Sequence, residues 1–231
     1  MTLGMILLAA VAAPPEPQGP SSGYALIVTN NRSLDPRRPD LQFADDDGAQ
    51  YAGLFGQLFS EEHVTLLTSF DAASVPLHAH WVPRSVAATR EQLGLAVKRL
   101  SEQLVQDHAS GKSTDVVLVL AGHGDLDGGT GFIELEDGRL TAAELENEVV
   151  AKLPADRLHI ILDSCNSYFM LSPRKPGGRR WAAASNPADG LLGRWPNVGA
   201  VVSTSAEAVT YTPSIGSSTG GTTLLGLQGT F

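Results

Sequence analysis

Cysteine is almost absent from this sequence, since Cys165 is the single thiol in 231 residues. One thiol excludes an internal disulfide framework and a structural zinc site built from several thiolates. Basic residues are also scarce, because 16 Lys and Arg stand against 25 Asp and Glu, for a net charge of −9. This charge gives no electrostatic reason to expect a nucleic acid or an anionic membrane as partner, and it suits cationic substrates better.

Long apolar runs are missing too, so no membrane span is expected. The N-terminal run, Met1–Ala13, is short and ends in small residues that resemble a signal-peptidase site, although no Lys or Arg precedes it. Export to the periplasm or the medium is therefore one expectation, with a cytoplasmic location as the alternative. A leader rich in Pro and Gly follows, so we expect residues 1–22 to lie outside the fold. Residues 23–210 would then form one domain, followed by a tail over 211–231.

Short apolar runs alternate along the chain with helical patterns, which predicts an α/β fold with a parallel sheet covered by helices. The predicted strands are Tyr24–Thr29, His63–Thr68, Asp115–Leu120, Leu158–Leu162 and Gly199–Ser205. Helices are predicted to begin in the acidic run 45–47, at Thr89 and at Thr141, and the last two have the spacing of capping boxes with Gln92 and Glu144. Phe132–Leu135 and the Asp137–Gly138 turn predict a hairpin outside the main sheet.

Two histidines lie in the predicted surface loop 69–85, at His78 and His80. An H-x-H pair is compatible with metal binding, but no further Cys or His stands nearby. We therefore interpret both as ordinary loop residues and expect no metal site.

Polar residues follow the two most apolar strands at the point where each strand ends. His123 lies between two glycines after Asp115–Leu120, and Cys165 follows Leu158–Leu162. A helix joins the two strands, so they should be parallel, with both carboxyl ends at the same edge of the sheet. His123 and Cys165 would meet there, and a Cys/His pair is the minimum set for thiol nucleophilic catalysis.

In this chemistry the thiolate attacks a carbonyl carbon, and the imidazole assists proton transfer to the leaving amine. The backbone N–H groups of Gly124 and Cys165 are candidate donors for the oxyanion hole. Alternatively, Cys165 is only a small buried hydrophobic residue, which is common for a lone cysteine. The polar residues around it argue against this interpretation.

Four segments within about residues 23–206 are informative together: YALIVTNN, LQFADDDGAQ, DVVLVLAGHG with the following GRLTAAEL, and LHIILDSCNS. They resemble the caspase-like cysteine peptidases of clan CD, and above all the bacterial metacaspases and orthocaspases. The resemblance implies a caspase-hemoglobinase fold, a three-layer sandwich with a central, mostly parallel sheet flanked by helices. It also implies that His123 and Cys165 form a catalytic dyad. The sequence around Cys165 departs from the caspase signature Q-A-C-[RQG]-G, so cleavage after Asp is not implied.

The resemblance further implies an acidic S1 pocket, the site for the residue before the scissile bond (P1). In metacaspase-type relatives, one pocket aspartate stands two residues before the cysteine and another at the start of the first helix. Asp163 matches the former and Asp47 best matches the latter, with Asp45 and Asp46 left as alternatives. Two carboxylates would favour Arg or Lys at P1, because a bound cation stabilises a buried acid pair.

Some residues depart from the relatives. Ala121 replaces a frequent serine, and Ser172 stands where a calcium-binding aspartate is often found. Calcium activation therefore lacks a usual ligand, and no cofactor is expected. The final strand and helix of the relatives are not recognisable after Tyr211, so the tail over 211–231 is expected to be divergent or truncated.

A basic cluster follows the cysteine in an irregular region that should be exposed. It consists of Arg174, Lys175, Arg179 and Arg180, and predicts self-cleavage there. The sequence thus favours an endopeptidase that acts on proteins or peptides with a basic P1 residue. The alternatives are a catalytically silent caspase-like scaffold or partner-binding module, and a Cys/His hydrolase for non-peptide acyl substrates. The oligomeric state is left open.

Overall fold

Six parallel strands form the central sheet of the protein, whose computed structural model describes residues 20–171 and 190–203. The strand order is β3-β2-β1-β4-β8-β9, and each neighbouring pair is parallel. The strands of this sheet are β1 (Ser21–Asn30), β2 (Val64–Leu67), β3 (Ser85–Val86), β4 (Ser113–Gly122), β8 (Arg157–Asp163) and β9 (Val198–Val202). The long strands β1 and β4 lie at its centre, which explains their continuous apolar runs.

Helices cover both faces of this sheet. They are α1 (Ala44–Phe59), α2 (Arg90–Ala109), α3 (Ala142–Glu144), α4 (Tyr168–Leu171) and α5 (Leu191–Arg194). A π-helical turn over Leu145–Val149 and a 3-10 turn over Val150–Lys152 continue α3. The predicted α/β class, with a parallel sheet between two helical layers, is confirmed.

Alternate residues of the strands supply two separate cores. Leu26 of β1 and Leu118 of β4 pack with α2 and α3 on one face, while Ile27 and Val119 pack with α1 on the other. Successive side chains of a strand point to opposite faces, so each apolar run fills both cores at once. We call these faces the α2 face and the α1 face.

The predicted capping box is complete at Thr141, whereas at Thr89 only its first half is present, because the Thr89 N–H donates to the Ala87 carbonyl. The Thr89 hydroxyl accepts a hydrogen bond from the backbone N–H of Gln92 at 3.2 Å. At α3 the capping box is complete, because Thr141 accepts from the Glu144 N–H and the Glu144 carboxylate accepts from the Thr141 N–H. These bonds satisfy amide groups that the first helical turn leaves without a partner.

The first strand begins earlier than predicted. Ser21 and Ser22 belong to β1, where they pair with Ser113 and Thr114 of β4, and not to a leader outside the fold. Tyr24 helps to hold the start of β1 in place, because its hydroxyl donates a hydrogen bond to Asp107 of α2 at 2.6 Å. A polar Ser-Ser-Gly stretch carries no strand signal of its own, and the partner strand determines where β1 starts.

A second, antiparallel sheet branches from the end of β4. It consists of β5 (Gly124–Asp127), β6 (Thr130–Glu134) and β7 (Arg139–Thr141). The predicted hairpin corresponds to β6 and β7, whereas β5 was missed because its sequence, GDLD, is too polar to resemble a strand. His123 therefore lies at the junction of the two sheets.

Several predicted features lie outside the described residues. They are the apolar segment Met1–Ala13, the basic cluster with Arg174, Lys175, Arg179 and Arg180, Ser172, and the tail over 211–231. Among the residues that the structure describes, no helix combines the length and the apolar character needed to cross a membrane.

Candidate active site

The register of two neighbouring strands brings His123 and Cys165 to the same edge of the sheet. Ala121 of β4 and Asp163 of β8 are partners in the parallel pairing. His123 and Cys165 each follow two residues later, so they leave the sheet at equivalent positions. Both side chains are partly exposed. The structure thus places the two residues predicted as a dyad at the same edge of the sheet.

The chain after His123 packs directly against the chain at the cysteine. A methyl group at Gly124 would lie 2.8 Å from the Ser164 hydroxyl oxygen, and closer still to the carbonyl oxygen of Cys165. Real side-chain atoms do not approach so closely, so this contact requires glycine. The two predicted oxyanion donors, Gly124 and Cys165, are therefore in backbone contact.

Cys165 lies in a tight turn between β8 and α4. Asn166 has a positive φ of 57°, in the left-handed region that costs most residues energy but suits Asn. Its carbonyl accepts from the Phe169 N–H at 2.9 Å, and the Ser167 carbonyl accepts from the Met170 N–H at 3.0 Å. The sharp reversal directly after the thiol holds Cys165 at the rim of the sheet.

One contact determines the orientation of the His123 ring. Its Nε2 lies 3.1 Å from the carbonyl oxygen of Pro39. A carbonyl oxygen only accepts hydrogen bonds, so Nε2 carries the proton in this contact and Nδ1 is the basic nitrogen of the neutral ring. No local pattern in the sequence marks the Pro39 carbonyl as a partner of His123.

The surroundings of His123 favour its neutral form. Burial lowers the pKa of His123 below its ordinary value, and the positive charge of Arg38 lowers it further. The bond to the Pro39 carbonyl and the charges of Glu134 and Asp40 oppose this shift without reversing it. A neutral imidazole with a basic Nδ1 is the form that accepts a proton from a thiol.

We expect His123 to titrate below about pH 6.5, the ordinary value for histidine. The unfolded chain then binds a proton at a higher pH than the folded chain does. The contribution of this group to the free energy of unfolding should therefore fall as the pH drops from about 6.5 to the folded pKa. An NMR titration of the imidazole C–H signals, assigned with His123→Gln, measures the midpoint. A midpoint at or above 6.5 would contradict the pKa shift.

Of the three consecutive acids at the start of α1, the first serves the fold. Asp45 is fully buried, and its carboxylate accepts from the Asn31 side chain at 2.7 Å and from the Asp71 N–H at 2.9 Å. These bonds tie the loop after β1 and the loop after β2 to the first turn of α1. Asp45 is therefore not available as the pocket acid.

The second acid contacts one of the two loop histidines. Asp46 Oδ1 lies 2.7 Å from Nε2 of His78, and His80 makes a similar contact of 3.0 Å with Glu61. The histidine rings thus meet one carboxylate each. Within residues 20–171 and 190–203, no group of three or more His, Cys, Asp and Glu side chains is arranged to hold a metal ion.

The third acid, Asp47, shares a neighbour with Asp163. That neighbour is Tyr51, one turn after Asp47 on α1, whose pKa is raised by burial and by the negative charges of Asp163 and Asp47. Ile161 packs against the α1-face core, and Asp163 lies two residues further along β8 on the same face. Asp47 and Asp163 thus both act electrostatically on the Tyr51 phenol. Sequence reasoning missed Tyr51. Its spacing of four residues from Asp47, which puts both on one side of the helix, is the pattern that could have indicated it.

No family model matches this sequence, and no curated protein matches it either. A solved structure of pro-Sf-caspase-1 is similar to this chain, with a TM-score of 0.40 and 12% sequence identity. The similarity covers 77% of this chain and 60% of that chain, less than two thirds of its length. A likeness this distant assigns neither a family nor an activity.

Proposed function

We propose that this chain is a caspase-like cysteine endopeptidase that cleaves peptide bonds after Arg or Lys. The observation that carries the proposal is the parallel register of β4 and β8, which puts His123 and Cys165 at equivalent strand ends. The resemblance of the AGHG and DSCNS segments to metacaspases supports the same assignment. The carboxyl edge of a parallel sheet is also where α/β folds place their chemistry.

The proposed reaction begins with transfer of the Cys165 thiol proton to Nδ1 of His123. The sulfur then forms a bond to the carbonyl carbon before the scissile bond, and the developing oxyanion accepts from the N–H groups of Gly124 and Cys165. The C–N bond breaks as His123 returns the proton to the leaving amine. Water, deprotonated by the same imidazole, hydrolyses the thioester and releases the thiol.

The proposed S1 pocket is the region around Tyr51, between Asp47 and Asp163. Burial raises the pKa of the Tyr51 phenol, and the negative charges of Asp163 and Asp47 raise it further, which supports an acidic pocket here. A guanidinium or ammonium group would be attracted by both acids and by the face of the aromatic ring. An aspartate side chain would be repelled there, because like charges at short range are destabilising.

A peptide series that differs only at P1 tests this pocket. We expect kcat/KM to be highest for Arg or Lys, lower for Leu and lowest for Asp. Asp163→Asn should lower kcat/KM for the Arg peptide by about 30-fold or more, because loss of one partner of a buried charge pair costs about 2 kcal/mol at least. The Leu peptide should be nearly unaffected, since its side chain makes no ion pair.

Asp46→Asn is the matched control, because Asp46 belongs to the same acidic run but its carboxylate contacts His78. This variant should keep the Arg-to-Leu ratio of the wild type, whereas Asp47→Asn should lower it. A preference for Asp at P1, or an Arg-to-Leu ratio that is unchanged in Asp163→Asn, would contradict the proposed pocket.

A further inference from the structure

A buried ion pair lies next to His123 and connects two elements that contact it. The Arg38 guanidinium binds Oε1 of Glu134, and the other carboxylate oxygen of Glu134 accepts from the Leu34 N–H at 2.9 Å. The Glu134 side chain is 1% exposed and that of Arg38 is 29% exposed. Glu134 lies on β6, and Arg38 lies in the loop between β1 and α1, so this pair joins the second sheet to that loop.

The backbone of Glu134 also holds the backbone of His123. The Glu134 N–H donates to the His123 carbonyl at 2.8 Å, and the Glu134 carbonyl accepts from the Asn30 side chain at 3.1 Å. One residue thus contacts the main chain of the proposed base and the loop that faces its ring. Pro39 completes this connection, because it directly follows Arg38 and its carbonyl oxygen contacts Nε2 of His123.

Other bonds inside this loop keep its shape. Arg38 Nε donates to the Ser33 hydroxyl at 3.1 Å, and the Asp40 carboxylate accepts from the Ser33 N–H at 2.8 Å. At the base of the loop, the Leu41 N–H donates to the Asn31 carbonyl at 2.7 Å. The Pro39 carbonyl therefore lies between two residues, Arg38 and Asp40, that are both held by side-chain bonds.

Burying a carboxylate such as that of Glu134 is a poor way to stabilise a fold, because the cost of removing the charge from water offsets most of its attraction to Arg38. Glu134 directly follows two buried apolar residues, Phe132 and Ile133. An apolar side chain at position 134 would fill the same space as the glutamate. The pair does, however, fix a geometry that hydrophobic contacts would leave less defined.

We propose that Glu134 is a positioning residue that acts through Arg38 to hold the Pro39 carbonyl against Nε2 of His123. In this way it sets Nδ1 as the basic nitrogen of the ring. The inference rests on the proposed peptidase function for its kinetic consequence, but its structural consequence is measurable without catalysis.

Glu134→Gln tests the inference kinetically. Glutamine has nearly the same size and still offers an acceptor to the Leu34 N–H, but it removes the charge that holds Arg38. We expect kcat for an Arg-P1 peptide to fall by about 10- to 100-fold, because small misplacement of a catalytic group has effects of this order. KM should change by less than about threefold, since neither Arg38 nor Glu134 is one of the proposed S1 acids. Glu134→Asp, which keeps the charge, should recover part of the lost kcat.

Asp35→Asn is the matched control. It removes an ion pair with Arg37 in the same loop, but that pair is exposed and has no contact with His123. Its kcat and KM should equal those of the wild type. Thermal unfolding verifies that each variant is folded. If Glu134→Gln fails to fold, Arg38→Gln, at a more exposed position, removes the same pair.

Nitrogen NMR of His123 provides a readout that does not depend on activity. The charged groups that act on this ring are Arg38 and Asp40 from the loop and Glu134 from β6. The titratable thiol of Cys165 follows the neighbouring strand end of β8. In the wild type we expect the tautomer with the proton on Nε2. In Glu134→Gln the two tautomers should become mixed, and the titration midpoint should move to lower pH, because a negative charge and the Pro39 contact are both lost.

The outcomes separate the two proposals. If the wild type cleaves no peptide, yet shows the Nε2–H tautomer and loses it in Glu134→Gln, the positioning role stands and the peptidase function fails. If the wild type is active and folded Glu134→Gln keeps both kcat and the tautomer, the positioning role is overturned and the peptidase function stands. A merely structural role would lower the melting temperature without changing the tautomer, and this result would also overturn the inference.

Discussion

Replacing Cys165 by alanine should remove peptide cleavage, with a loss in kcat/KM of at least about 1,000-fold. Loss of a covalent nucleophile leaves only binding and oxyanion stabilisation, which provide a small part of the rate. The fold should survive, because Cys165 is partly exposed and alanine is smaller. Hydrolysis of an Arg-P1 peptide, with melting temperatures measured in parallel, gives the comparison.

Cys165→Ser provides the matched control for size. A serine hydroxyl has a much higher pKa than a thiol, and a histidine with a lowered pKa is a weak base for it, so this variant should also be nearly inactive. Activity that survives in folded Cys165→Ala would come from another nucleophile or from a contaminating peptidase. If Cys165→Ala kept the activity and His123→Ala lost it, Cys165 would not be the nucleophile.

Replacing Gly124 by alanine should have the second largest effect. The added methyl group would lie 2.8 Å from the Ser164 hydroxyl and closer still to the Cys165 carbonyl, so one of the two strand ends must move. A displacement of about 1 Å at a catalytic group costs on the order of 100-fold in rate. Overpacking of this kind also lowers the free energy of unfolding, by about 1–3 kcal/mol.

Gly94→Ala is the control for this change, because Gly94 lies on the exposed side of α2 and a methyl group there meets nothing within 4 Å. It should raise the free energy of unfolding by about 0.5–1 kcal/mol, the helix preference of alanine over glycine, and leave kcat/KM unchanged. Denaturant unfolding and the Arg-P1 peptide measure both effects. A Gly124→Ala protein with wild-type stability and rate would show that this contact does not position Cys165.

The strands, and the placement of His123 and Cys165 at one edge of the sheet, could be predicted because their signals are local. An apolar run followed by polar residues marks the end of a buried strand, and the helix between β4 and β8 requires a parallel pair. The helix starts at Thr89 and Thr141 were predictable for the same reason, since a capping box lies within four residues.

The assignment of the acidic run could not be predicted in the same way. Asp45, Asp46 and Asp47 are adjacent, and successive positions of a helix point about 100° apart, so each acid meets a different part of the fold. Their partners come from distant loops, Asp71 for Asp45 and His78 for Asp46. No pattern in the sequence indicates which of the three acts on the Tyr51 phenol together with Asp163.

The contacts around the His123 ring could not be predicted from the sequence for a similar reason. Glu134 looked like one residue of a hairpin, and Arg38 looked like part of an irregular loop. Their pairing joins positions 96 residues apart, and the Pro39 contact with His123 joins positions 84 residues apart. A backbone carbonyl also has no sequence signature, because every residue carries one.

The central claim is that Cys165 is a thiol nucleophile beside a pocket for a basic side chain. Labelling with acyloxymethyl ketones that carry Arg or Asp at P1, followed by intact and peptide mass spectrometry, tests it most directly. We predict one adduct, on Cys165, with the Arg reagent, much slower labelling with the Asp reagent, and loss of the adduct in Cys165→Ala. A folded protein that reacts with neither reagent would favour the silent scaffold, and equal labelling by both would contradict the acidic pocket.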